Sequence, residues 1–236
     1  MVVSVDGIED VALTTNGWLL ARYARALADA GLRRVTVSLD ALDDATFAAI
    51  NGVGAKVATV LEGIEAAVAA GLTPVKVNMV VKRGVNGHAV LEMAQYFRER
   101  GHPLRFIEYM DVGTTNHWRL DEVVPASEIL SLIDARWPLT PVAPSYPGEV
   151  ASRYRYRDGA GEIGLIASVT QPFCGGCTRA RLKASAETPT RTHSARDTDS
   201  FALGRALVLQ ASHVTSGRVT PALRTPRASR RRMRET

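Results

Sequence analysis

The chain has 236 residues, 46% hydrophobic and 22% charged, which suits a soluble globular protein with one large or two small cores and excludes disorder over its whole length. The apolar run at residues 61–71 is short and carries Glu62 and Glu65, which excludes a bilayer span, and residues 1–12 lack the basic head of a secretory leader, so a cytoplasmic location and no membrane partner are expected. The formal net charge of +5 is uneven: residues 187–236 hold ten arginines, no lysine and four acids, so the tail carries +6 and the body about −1.

Between residues 11 and 112, short β-branched runs alternate with longer helical patterns. Strands are predicted at 11–15, 34–39, 75–81 and 104–110, and helices at 19–30, 60–70 and 88–100, where Ala and Leu recur at spacings of three and four. Gly31, Gly71 and Gly101 follow these helices, where a left-handed C-terminal cap favours glycine. The repeat predicts a (β/α) barrel or a doubly wound sheet. Three βα units do not close a barrel, and the first strand lies close to Met1, so further sequence is expected before it. After residue 112 come a loop, a helix at 125–136, a Pro-rich turn and strands at 152–156 and 162–168, which read as a smaller second module. Past Lys183 apolar periodicity survives only at 201–209, and the Thr, Ser, Arg and Pro content predicts disorder.

In parallel β/α folds ligands sit at the carboxyl ends of strands. Those ends are polar here. The first closes Thr14-Thr15-Asn16-Gly17, the second Ser38-Leu39-Asp40, the third contains Lys76 and Asn78, and the fourth runs from Arg105 through Glu108 to Met110. Singly, each reads equally as a turn residue or a helix cap; four in succession point to a site. Alternation puts Lys76, Asn78 and Val80 on one strand face, and a lysine beside an amide suits an anion or a purine, although an edge-strand lysine that blocks aggregation has the same appearance. Cys174-Gly175-Gly176-Cys177, the only cysteines, precede Thr178-Arg179-Ala180-Arg181. Two thiolates at this spacing are half of a zinc or iron-sulfur site, and a redox motif of the thioredoxin type is the alternative.

Thr14-Thr15-Asn16-Gly17, residues 34–40 (RVTVSLD), 75–78 (VKVN), 105–113 (RFIEYMDVG), 164–169 (GLIASV) and 173–182 (FCGGCTRARL) resemble, in order and spacing, the GTP 3′,8-cyclases of molybdopterin biosynthesis. The resemblance implies an α/β fold: a partial parallel (β/α) barrel of the radical S-adenosylmethionine (SAM) type over residues 1–113, a small α+β C-terminal module over 114–183, and a basic tail over 184–236. It implies an N-terminal CxxxCxxC loop whose [4Fe-4S] cluster cleaves SAM to a 5′-deoxyadenosyl radical, which converts GTP to its 3′,8-cyclised product. It also implies a second [4Fe-4S] cluster, held by three cysteines in the C-terminal module. Carried over by position, Ser38 and Met110 contact SAM, Thr14, Lys76, Arg179, Ala180 and Arg181 contact GTP, and Cys174 and Cys177 ligate the second cluster. A homodimer and a downstream cyclic pyranopterin synthase belong to the same set of expectations.

Three family features are missing from the 236 residues: the CxxxCxxC motif with its glycine-rich strand end, a third C-terminal cysteine, and a Gly-Gly terminus. The N-terminal cluster site is therefore expected to be absent, the C-terminal one incomplete, and the chain by itself inactive. The tail's arginine-only basic content, with abundant Thr, Ser, Ala and Pro, is what a GC-rich gene read in a shifted frame yields, so residues after about Lys183 are read as out of frame. Sequencing that finds no single-base shift restoring a Cys-Leu-Phe continuation removes that reading. His117 stands where the family has a small residue. Two other functions fit parts of the sequence: nucleic-acid binding through Arg230, Arg231, Arg232 and Arg234, which no accompanying nucleic-acid fold supports, and a non-radical βα-barrel enzyme using Lys76 as Schiff base or general base.

Overall fold

The structure is a computed structural model that describes residues 10–51, 55–110, 118–146, 148–171, 180–182 and 208–212. In chain order the elements are β1 (Asp10–Thr15), α1 (Leu20–Asp29), β2 (Arg34–Ser38), α2 (Asp44–Asn51), α3 (Val57–Ala69), β3 (Val75–Val81), α4 (Val90–Glu99), β4 (Leu104–Glu108), α5 (Ala126–Arg136), β5 (Leu139–Val142), β6 (Ser152–Tyr156), β7 (Glu162–Ile166), β8 (Ala180–Leu182) and β9 (Val208–Ser212). The strands form one sheet in the order β5-β6-β7-β4-β3-β2-β1-β9-β8. β1, β2, β3, β4 and β7 run parallel, and the pairs at both flanks are antiparallel.

The order separates the two architectures that the repeat allows. β1 to β4 lie side by side in chain order with no reversal, and right-handed crossovers then put every connecting helix on the same face. A doubly wound sheet reverses its strand order to cover both faces; this sheet does not, so it is a stretch of barrel wall.

Alternation along the strands shows which face the helices cover. Val35 and Val37 of β2, Val75, Val77, Met79 and Val81 of β3, and Leu104 and Phe106 of β4 are buried. They share a core with Val60, Ile64 and Ala67 of α3, Val90, Met93 and Phe97 of α4, and Ile129 and Ile133 of α5. Each such side chain contributes about 1.5–3 kcal/mol by leaving water. Each long helix ends as the sequence predicts: Gly31, Gly71 and Gly101 have positive φ, and the residue after each donates its N–H back to Leu27, Ala67 and Phe97, closing the last turn.

Gly17 bears on the site because it turns the chain from β1 into α1. Its φ is +77°, and a Cβ there would lie 2.9 Å from Val60 Cγ1 and 3.1 Å from Val37 Cγ1, while one on Gly63 would lie 2.9 Å from the Gly17 carbonyl oxygen. α3 therefore rests on the turn with no room for a methyl group. Gly17→Ala is expected to cost about 2–4 kcal/mol, combining left-handed strain with overpacking. Urea unfolding at constant m-value checks it, and a loss below about 1 kcal/mol contradicts the packing described.

Several elements depart from the sequence expectation. α2 has no periodic signal because it is eight residues long, yet Asp43 starts it by accepting the Thr46 N–H at 2.8 Å. β5 hides in a Pro-rich segment, and Pro141 is tolerated because β5 is an edge strand. β4 stops at Glu108 and β7 at Ile166, both two residues earlier than the sequence suggests. β5, β6 and β7 extend the barrel wall through the parallel pairing of β7 with β4. The tail, which the sequence leaves without an element, contributes β9 antiparallel to β1, with Ala12 opposite Gln210.

Candidate nucleotide site on the open face of the sheet

The strand face opposite the helices is polar. On β3 the alternation leaves Lys76, Asn78 and Val80 half-buried there, on β2 Arg34, Thr36 and Ser38, and on β4 Arg105 and Ile107. Strand pairing aligns them. Thr14 is opposite Thr36 and Thr36 opposite Lys76, forming one row. One step toward the carboxyl ends, Ser38, Asn78, Arg105, Gly164 and Arg153 form the next. Gly164 leaves space in that row: a Cβ on it would stand 3.0 Å from Arg105 Cγ, so its bare backbone lets the arginine stem cross β7.

Lys76 sits among like charges. Burial pushes its ammonium down to about 8, the Arg105 and Arg34 guanidinium groups push the same way, and Glu149 only partly opposes them. Arg153 adds less, since Glu162 holds it at 2.6 Å. The middle of the open face is thus a cationic patch that favours an anion.

Two buried polar clusters fix the strand ends around this patch. Asp40, just past β2, accepts the Val80 N–H at 2.8 Å, and burial drives its carboxyl up to about 7 against that bond. Asn86 lies beside it, fully buried; its amide donates to the carbonyls of Asp40 and Val80 and accepts from the Lys82 N–H, each at 2.8 Å. Glu108 is 1% exposed at the end of β4. Its carboxylate accepts the N–H of Ala126 at the start of α5, the N–H groups of Val169 and Thr170, and the Thr170 hydroxyl, all at 2.6–2.8 Å. Burial raises its pKa, but these bonds outweigh burial and hold it below the ordinary carboxylate range. They also explain why β4 and β7 end early, since Glu108 gathers the turn after β7 and the first turn of α5.

Of the residues expected in a site, Thr14, Ser38 and Lys76 lie together on the open face. Met110 is two residues beyond the end of β4, on the chain that Glu108 anchors. Ala180 and Arg181 belong to β8, whose backbone pairs with β9. Cys174, Cys177, Arg179 and His117 lie outside the described residues. Among the described residues no group of three or more His, Cys, Asp or Glu is placed to hold a metal ion, and no helix is long and apolar enough to cross a membrane. Arg105 stands in one of the polar strand ends of the expected site and Arg34 in none, and neither is assigned a ligand there. Counting in twos from Ser38 and Lys76 identifies them only once the β2–β3–β4 register is known.

Two family models match the chain in succession: the Radical SAM superfamily over residues 2–97 and Molybdenum Cofactor Synthesis C over residues 102–198. The chain is 54% identical over 217 residues to a GTP 3′,8-cyclase of Acidothermus cellulolyticus, covering 88% of this chain and 60% of the relative. It is 53% identical over 183 residues to one from Xanthomonas axonopodis pv. citri, covering 78% and 55%. A third, from Staphylococcus saprophyticus, is 51% identical over 178 residues, covering 75% and 52%. The chain thus spans between half and two thirds of the length of these curated relatives. With identity above one half over most of its residues, and both modules present in order, the chain belongs to the GTP 3′,8-cyclase family of radical SAM proteins.

Proposed function

We propose that the open face of the parallel sheet binds GTP, with the triphosphate over Lys76, Arg34 and Arg105, as this chain's part in the GTP 3′,8-cyclase reaction of molybdenum cofactor biosynthesis. The observation that carries the reading is the placing of Lys76 on a half-buried face beside two guanidinium groups, where burial first and then their repulsion lower its pKa to about 8. Such repulsion weakens the free protein and is relieved by a polyanion, which converts it into charge-assisted hydrogen bonds.

The remaining roles follow the family. The Thr14 hydroxyl, Arg179, Ala180 and Arg181 hold GTP with Lys76, Ser38 and Met110 hold SAM, and Cys174 and Cys177 are cluster ligands. When bound, a [4Fe-4S] cluster supplies the electron that cleaves SAM. Two thiolates are fewer than the three by which the family holds each of its clusters, so the cysteines of these 236 residues do not complete a cluster site. What this chain's own residues do is position the nucleotide. The phosphate cations fix one end, the strand-end hydroxyls orient the sugar, and the barrel wall screens the face from water. A cytoplasmic location, self-association as a homodimer and delivery of product to a cyclic pyranopterin synthase complete the reading.

Equilibrium dialysis of the full chain with GTP, GMP and guanosine tests it. Affinity is expected to fall in that order by about tenfold or more from GTP to guanosine, and GTP binding to weaken as salt rises. Equal affinity for the three, or none, contradicts the proposal. The lowered pKa of Lys76 also favours a second reading, an amine poised for Schiff-base chemistry. Borohydride trapping of a carbonyl compound on Lys76 distinguishes it.

A further inference from the structure

We infer that Glu149 is an internal counter-anion of the cationic patch, holding the place of a phosphate in the free protein and giving way when a polyphosphate binds. The inference rests on the nucleotide reading above. Glu149 stands three residues before β6, and its side chain is only 5% exposed. Its Oε2 accepts the Ser145 N–H at 2.7 Å and lies 3.8 Å from Arg153 Nη1. Arg153 is across β7 from Arg105, both being register partners of Gly164, so the carboxylate borders the row that carries the cations.

Arg153 does not by itself account for this burial. Glu162 already holds its guanidinium by two hydrogen bonds, at 2.6 and 3.2 Å, so Glu149 is a second carboxylate where one suffices. A buried carboxylate is costly unless cations offset it. The patch supplies that offset: burial, Arg105, Arg34 and Arg153 lower the Lys76 pKa, and Glu149 works against them. A carboxylate and a phosphate are both acceptor-only anions that seek the same donors. A triphosphate on this face therefore meets an anion already in place, and two anions on one half-buried patch repel. The glutamate is the one free to leave, because Arg153 keeps Glu162 when it goes.

The test is calorimetric titration of the full chain, wild type, Glu149→Gln and Glu149→Asp, with GTP and inorganic tripolyphosphate at low salt, alongside thermal melts. Glutamine keeps the shape and removes the charge, so both ligands are expected to bind about threefold to tenfold more tightly, with Lys76 titrating lower than in the wild type. Aspartate keeps the charge, and its variant is expected to bind both ligands less tightly than the glutamine variant does. A measurement on the wild type needs no variant to fold: saturation with tripolyphosphate should quicken hydrogen exchange at the Ser145 amide by about threefold or more, as its acceptor moves away. A lower melting temperature with unchanged or weaker polyphosphate binding makes Glu149 a purely structural partner of Arg153. That result overturns the inference and, where the wild type binds GTP, leaves the nucleotide reading intact. A Ser145 amide that bound tripolyphosphate leaves unchanged overturns it too. If neither the wild type nor the glutamine variant binds either ligand, the nucleotide reading fails and this inference with it.

Discussion

Lys76→Met is expected to raise the melting temperature of the chain by a few degrees while weakening GTP binding by about tenfold to a hundredfold. The two effects share a cause. Burial and the guanidinium groups of Arg105 and Arg34 lower the Lys76 pKa from 10.5 to about 8, so the folded state holds this proton less tightly than the unfolded chain does. Between pH 8 and 10.5 the unfolded chain then binds more protons, and stability from this group rises with pH across that window. Methionine has no proton to hold, so the variant's advantage over the wild type should shrink as pH climbs from about 8 toward 10.5. The lost affinity corresponds to one charge-assisted hydrogen bond to phosphate, about 1.5–3 kcal/mol. A variant that binds GTP as well as the wild type, or that melts lower, contradicts this account of the cationic patch.

Glu108→Ala is expected to cost about 3–5 kcal/mol of stability, among the largest effects of any single substitution in the chain. Its carboxylate satisfies three backbone N–H groups and a hydroxyl that come from two separate segments, the start of α5 and the turn after β7. Without it those partly buried donors lose their acceptor unless water reaches them, which is easiest if α5 and the turn after β7 separate from β4. Glu108→Gln retains one accepting oxygen but turns an amide toward donors, so an intermediate loss follows. The pH dependence has a definite sign. Because the folded-state pKa lies below the ordinary 4.5, the contribution is full above that value and is lost as pH falls through the folded pKa. Urea unfolding of the wild type and both variants at pH 7 and pH 4 checks both points. A loss below about 1 kcal/mol for the alanine variant removes Glu108 from its place at the join.

These two residues show how far the sequence could be read. Lys76 was legible because an isolated lysine in a run of valines breaks the pattern of a buried parallel strand, and alternation gives its face without any structure. Its companions Arg34 and Arg105 were not, because each opens or interrupts a strand where a cation is unremarkable, and only the inter-strand register brings them beside Lys76. Glu108 sits in the open in the RFIEYM run, yet its partners are Ala126, Val169 and Thr170, up to 62 residues away. No local pattern encodes such a contact. The barrel wall was legible for the opposite reason: β-branched runs, helical spacing and terminal glycines are local signals, and they gave four strands and three helices close to their observed bounds. α2 and β5 escaped because one is too short for periodicity and the other carries a proline.

The central claim, that the cations of the open face hold a polyphosphate, is tested most directly at the Lys76 amine itself. The chain has four lysines, Lys56, Lys76, Lys82 and Lys183, so heteronuclear NMR of isotopically labelled lysine, assigned with Lys76→Arg, can follow each one through a pH titration. The free protein should show Lys76 titrating near 8, and saturation with GTP, but not with guanosine, should move that titration upward by at least one pH unit. A Lys76 amine that titrates in the ordinary lysine range, or whose midpoint stays in place when GTP is bound, contradicts the account.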